Sequence, residues 1–295
     1  MQRSEPAHEG GREMTLRTRP ATLMQSALFQ AKTDLRPYYA SASGIGLLFP
    51  VVVFIALGVW FRSKDLTLGP WASAFLPGMV GATTAMLPLQ LVSEYYSERV
   101  NGTLIRARLL PNGPLAWTIG KTLSNLTLIA LTQGLLLAAT LILFPELEIP
   151  IGSILLMIPI LLLCSAAAAP IGFVLGAFAK GVYSLMGATV ALIGVWMVSG
   201  SFIPLNDMPT WLQAIQAPLP FYWFGHLSRW ALVGGNGSGI EIGGGYHPLL
   251  AIAILLAWTI LGFALAARIV RSSFRKESLT TLEQLRFALR RQSGI

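Results

Sequence analysis

Glu94, Glu98, Arg99, Arg106 and Arg108 crowd into one segment, SEYYSERVNGTLIRARLLPNGP at 93–114, between two long apolar runs. Intramembrane hydrolase or transferase chemistry needs convergent acids, histidines or an activated nucleophile. The histidines, His8, His226 and His247, all lie outside the apolar runs. The single cysteine, Cys164, can make neither an intrachain disulfide nor a cysteine metal site. No catalytic residue and no metal ligand is therefore assigned. Just downstream, GPLAWTIGKT ends like a phosphate-binding loop, but six residues separate Gly113 from Gly120 where the motif has four, and no strand precedes it. The chain is expected to carry no ATPase site of its own.

The chain that must position this segment has 295 residues, 54% of them hydrophobic and only 12% charged, a membrane composition rather than a soluble one. Apolar blocks at 44–61, 70–92, 115–144, 151–179, 182–203 and 248–267 approach the roughly 20 residues that cross a hydrocarbon core as helix. The alternation of a membrane barrel is absent, which leaves helices. The expected fold is an all-α membrane protein with six transmembrane helices. Residues 1–19 read as a disordered tail, 20–38 as an amphipathic interface helix, 44–271 as one transmembrane domain and 272–295 as a basic tail. No apolar core precedes residue 44, so the first span is expected to double as the insertion signal.

The net charge of +8 is distributed for a membrane, not for nucleic acid. Assigning segments alternately puts all but three of the 21 Lys and Arg residues (Arg62, Lys64 and Arg229) on one side, which predicts both termini and the 93–114 loop in the cytoplasm. The basic tails then anchor to lipid headgroups.

No Asp, Glu, Arg or His falls within the blocks. A charge near a helix centre costs about 2.5–3.5 kcal/mol on insertion scales, and ion-coupled carriers and voltage sensors keep one because they use it. This chain is expected not to power itself, and an intramembrane enzyme is disfavoured on the same ground. Thr83, Thr84, Gln90, Asn125, Gln133 and Ser199 either line a substrate path or hydrogen-bond between helices, packing being the simpler reading. Small-residue runs such as CSAAAAPIGFVLGAFAKG fit close helix approach.

Three further segments have shape. Leu23, Met24, Ala27, Leu28, Ala31 and Leu35 share one face of a helix that Pro20 would start and Pro37 would stop. Segment 202–234 holds two short apolar, Trp-rich helices divided by Pro218 and Pro220, a re-entrant or interfacial hairpin; GGNGSGIEIGGG after it reads as a flexible loop. In 93–114, the second span continues toward Arg99, Asn101 and Gly102 break it, and Thr103 caps a short helix that Pro111 to Pro114 end. This projection leaves Glu94, Glu98, Arg99, Arg106 and Arg108 exposed; the competing reading is a solvated loop.

The amphipathic helix, six spans, the SERVNGTLIRARLLP loop followed by GK, and SGSFIPLNDMPTWLQAI leading into a hairpin together resemble the permease subunits of type-2 ABC transporters, especially the bacterial drug and antibiotic (daunorubicin-type) efflux group. The resemblance implies that the loop is a coupling helix entering a cleft on a separate ATPase subunit. Glu98, Arg99, Gly102 and Thr103 match its core, and Glu94, Arg106 and Arg108 are flanking contacts. Ile105 and Arg106 stand where many members have a Glu. It further implies two nucleotide-binding subunits carrying ATP and Mg, and a second permease, copy or homologue, in a bacterial inner membrane. An amphipathic substrate would leave near the hairpin, with Phe202, Pro204, Trp211, Phe221 and Trp223 as the candidate outer gate. Export of a lipid, glycan or sodium, or a non-transporting anchor, are the alternatives.

Overall fold

In the computed structural model, residues 22–40, 43–63, 70–110 and 112–276 are described. The tail at 1–19, Lys64, Asp65, Pro20, Pro111 and the chain beyond 276 lie outside them. Among the described residues there is no strand. Five helices are long and apolar enough to cross a membrane: Ser73–Asn101, Gly113–Leu143, Ile151–Phe178, Val182–Ser201 and Pro248–Arg275; Leu48–Arg62 is a shorter apolar one. The six apolar blocks of the sequence thus each become a helix.

In chain order these are α1 (Leu23–Ala40), α2 (Ser43–Arg62), α3 (Pro70–Ala82), α4 (Met86–Asn101), α5 (Thr103–Leu109), α6 (Gly113–Leu143), α7 (Ile151–Phe178), α8 (Val182–Trp196), α9 (Thr210–Gln216), α10 (Pro220–Leu232) and α11 (Pro248–Lys276). Helices α3 and α4 form one span joined by a 3₁₀ turn, Thr83–Ala85. The turn tightens there because Pro88 has no N–H to give the Thr84 carbonyl.

Helix α1 begins in a reciprocal cap: Gln25 N–H donates to Thr22 Oγ1 (3.3 Å) and Thr22 N–H to Gln25 Oε1 (3.0 Å). Pro37 does not stop it; the helix runs on to Ala40, since a proline removes only one helical hydrogen bond and neighbouring packing can hold the rest. Ala27 and Ala31 bury one face of α1, while Met24, Leu28 and Phe29 stay exposed. The buried face lies on α6 at Gly120, where a Cβ would stand 2.7 Å from Gln30 Cβ.

Glycines also set the α4–α7 contact. A Cβ at Gly172 would meet Leu91 Cβ at 2.6 Å, and one at Gly176 would meet Tyr95 Cβ at 2.7 Å. This four-residue spacing of small residues lets the helices touch backbone to backbone, where dispersion does the work that water exclusion does in soluble proteins.

The end of the bundle that carries α1, α5 and the start of α6 is the basic end; the other is the hairpin end. At the hairpin end, α9 and α10 re-enter the bundle. Phe224, Ser228 and Arg229 of α10 lie against Gly81, Pro77 and Gly78 of α3, so the two helices run antiparallel. The turn between α9 and α10 reaches Trp258, whose Nε1–H donates to the Pro218 carbonyl (2.8 Å). Trp258 is roughly 15 Å along α11 from its start at ~1.5 Å per residue.

Candidate functional site: two buried charge clusters and an exposed helix

Helix α4 runs past the apolar block to Asn101 and brings Glu94, Glu98 and Arg99 with it. The ammonium of Lys121, on the third turn of α6, lies 3.0 Å from Asp34 Oδ2 of α1, 3.3 Å from Glu94 Oε2 and against Glu98 Oε1. Glu94 and Glu98, four residues apart, share one face of α4, and Gly120 lets α1 come close enough to add Asp34. The remaining carboxylate lone pairs are partly filled. Asn125 Nδ2 donates to Glu94 (2.9 Å), Trp117 Nε1–H to Glu98 and Gln30 Nε2 to Asp34 (3.0 Å). Side-chain exposure is 6% for Lys121, 24% for Glu94 and 14% for Glu98.

Arg99 leaves the opposite side of α4. Its guanidinium donates to the carbonyls of Gly176 (3.3 Å), Ala177 (3.2 Å) and Ala179, and to Ser273 Oγ of α11 (3.1 Å). The last carbonyls of a helix have no internal partners and carry partial negative charge, so this arginine caps α7. Together Lys121 and Arg99 tie the end of α4 to α1, α6, α7 and α11. The expectation that Glu94, Glu98 and Arg99 are exposed is therefore corrected. Their charged groups are engaged within the chain, and an arginine or carboxylate left free beside these helix ends would carry an uncompensated desolvation penalty.

The short helix that follows is the exposed part. Gly102 turns the chain with φ +77° and N–H donated to the Arg99 carbonyl (3.1 Å), a conformation that favours glycine. The Gly102 backbone, not Thr103, occupies the cap of α5; Thr103 Oγ1 instead accepts from Arg106 (3.3 Å). Leu104 and Ala107 of α5 are buried, whereas Arg106 and Arg108 are exposed and Leu109 and Leu110 are 79% and 63% exposed. Arg108 also donates to the Arg275 carbonyl (3.2 Å).

The polar residues of the spans are engaged within the subunit. Gln133 Nε2 donates to Thr84 Oγ1 across two helices (2.8 Å), Thr83 Oγ1 to the Val80 carbonyl (3.1 Å), and Ser199 Oγ to the Trp196 carbonyl (2.7 Å). Asn125 serves the Lys121 cluster. Of the six residues, Gln90, half-buried, and Asn125, buried, each keep a side-chain oxygen without a hydrogen-bond partner. The candidate gate residues separate: Phe221 and Trp223 are buried in α10, Phe202 stacks edge-on with Trp196 (5.4 Å between centroids), Pro204 is half-buried, and Trp211 is 63% exposed.

A second buried cluster at the hairpin end has no counterpart in the sequence reading. Arg229 Nε–H donates to Glu241 Oε1 (2.5 Å), and Tyr222 OH to Glu241 Oε2 (2.6 Å). His226 Nε2 accepts the His247 N–H (3.0 Å), which places its proton on Nδ1, 2.8 Å from Glu241 Oε2. Arg229 stacks over Trp71 (5.6 Å). Burial alone would raise the Glu241 carboxyl; the Arg229 guanidinium and the His226 hydrogen bond outweigh it and hold it well below the usual carboxylate range. Both imidazole nitrogens and both carboxylate oxygens are occupied, so the cluster works as a strut. Its charges come from outside the six apolar blocks, carried by α10 and the segment after it, and it corrects one expectation: the glycine-rich segment is held by Glu241 rather than loose.

An all-helical multi-pass membrane bundle with an amphipathic helix and a short exposed helix at one end, and a re-entrant hairpin at the other, is the class these features define. The chain belongs to the ABC-2 type transporter family, whose membrane-domain model matches residues 32–233. It is a permease component of an ABC transporter. A search of curated proteins found no match.

Proposed function

We propose that this chain is the membrane subunit of an ATP-driven exporter, with the basic end in the cytoplasm of a bacterial inner membrane and both termini inside. Two ATPase subunits, holding ATP and Mg, dock on α5, and a second permease packs alongside to enclose a path for an amphipathic small molecule. The observation that carries this reading is the contrast at α5. Its tip offers Arg106, Leu109 and Leu110 to a partner, while its root is fixed to four helices through Lys121 and Arg99. A push on the tip is passed to the bundle as a rigid displacement of α1, α4 and α6. Asymmetric Lys and Arg distribution supports the orientation. For the second permease, Gly187 and Gly194 on α8 face open space, leaving room for close helix approach.

The test is coexpression with candidate ABC ATPase subunits from the same genome. Arg106→Glu with Leu109→Asp is expected to abolish copurification and substrate-stimulated hydrolysis, while gel-filtration behaviour stays wild-type. Normal copurification and stimulation in that variant would refute the docking role.

A further inference from the structure

At the basic end a groove of about 520 Å³ separates α6 from α11. Its walls are α6 from Pro114 to Leu126 and α11 from Phe263 to Arg271; fully buried Phe173 of α7 forms the floor, and Met24 of α1 stands at the mouth. The α6 wall is roughly 18 Å long at ~1.5 Å per residue, close to one leaflet of a ~30 Å core, and it runs along the span as lipid chains do. The lining is apolar in effect. The hydroxyls of Thr118 and Thr122 donate to the carbonyls of Pro114 (2.8 Å) and Thr118 (2.9 Å), so their protons are already used within α6.

Charge marks one end of this groove. Arg271 lines it, and Arg268 and Arg275 lie three and four residues away on the same exposed side of α11. Among the described residues no carboxylate pairs with any of the three. An apolar slot one leaflet deep, with unpaired arginines at the surface end, matches a guest with a long hydrocarbon chain and an anionic head.

We propose that the groove holds one acyl chain of an anionic glycerophospholipid, its phosphate against Arg271 and the flanking Arg268 and Arg275. The bound lipid fastens the interface helix α1 to the α6 and α11 pair. This does not depend on the transport reading above.

The test uses the full-length protein in detergent micelles, titrated with phosphatidylglycerol or with phosphatidylcholine of the same chains, and read by native mass spectrometry and thermal unfolding. Phosphatidylglycerol is expected to bind tighter by roughly fivefold for each arginine engaged and to raise the unfolding temperature more. Arg271→Gln should remove about fivefold of that preference and leave phosphatidylcholine binding unchanged. Ala267→Trp, which fills the slot, should weaken both lipids; Thr122→Phe on the facing wall is the substitute if that variant does not fold. Equal binding of the two lipids by the wild type would overturn the proposal. So would an unchanged preference in Arg271→Gln, or wild-type lipid binding by the filled groove.

Discussion

Replacing Lys121 by Met removes the one cation shared by Asp34, Glu94 and Glu98 and keeps the apolar stem that packs against α1. Breaking a buried ion pair by deleting one partner costs about 3–5 kcal/mol, because the other charge stays buried without compensation. Here three carboxylates lose their partner, but Glu94 and Glu98 keep 24% and 14% of their side chains exposed, so the lower end of that range applies, about 3 kcal/mol. At roughly 2–4 °C per kcal/mol for a chain of this size, the unfolding temperature in detergent should drop by about 6–12 °C. Adding Glu94→Gln and Glu98→Gln removes the uncompensated charge and should recover more than half of that loss. Tryptophan fluorescence on a thermal ramp reads both effects, since Trp117 touches Glu98. If Lys121→Met melts within 2 °C of wild type, or the triple variant is no more stable than the single one, the cluster does not hold these helices together, by the same ~2–4 °C scale.

Other perturbations have equally direct readouts. Gly176→Leu drives a side chain into Tyr95, whose Cβ is 2.7 Å from where the glycine's Cβ would be; loss of folded protein after solubilisation is expected, with Gly187→Leu, facing open space, as the silent control in the monomer. Gly120→Val should lift α1 from α6, detected as faster proteolysis near residues 22–40. Glu241→Gln should destabilise by about 3 kcal/mol, read as a lower unfolding temperature, because Arg229 stays buried without its carboxylate. The depressed Glu241 pKa means its stabilisation is full above the ordinary glutamate value of 4.5 and is lost progressively as pH falls below it. The wild type should therefore lose more stability than Glu241→Gln between pH 6 and about pH 3.5.

The spans were legible because each apolar block is long enough to decide its own structure before any tertiary contact forms. The left-handed turn at Gly102 was equally local, a glycine after a helix with Asn101 before it. The Lys121 cluster was not, although its signals were present. Glu94 and Glu98 lie four apart on one helix face, and a Gly precedes Lys121, but Asp34 comes from a distant segment and nothing in the sequence joins them. Arg99 reads from the sequence as an exposed coupling residue because its partners are mostly backbone carbonyls, which no residue type announces. At the hairpin end the glycines around Glu241 suggested looseness. The buried Arg229, three residues from His226 on one helix, was the overlooked sign that an acid had to meet it.

In the proposed coupling, α1 and the α4–α5 elbow move as one body when the ATPase subunits close. Spin labels at Lys32 and Asn101, both exposed, with the buried Cys164 left in place, report that distance in the assembled transporter. A second label pair at Tyr183 of the two permeases reports movement between them. On trapping the ATP-bound state, the Lys32 to Asn101 distance should stay constant while the Tyr183 distance changes. A changed Lys32 to Asn101 distance with a constant Tyr183 distance would contradict the account.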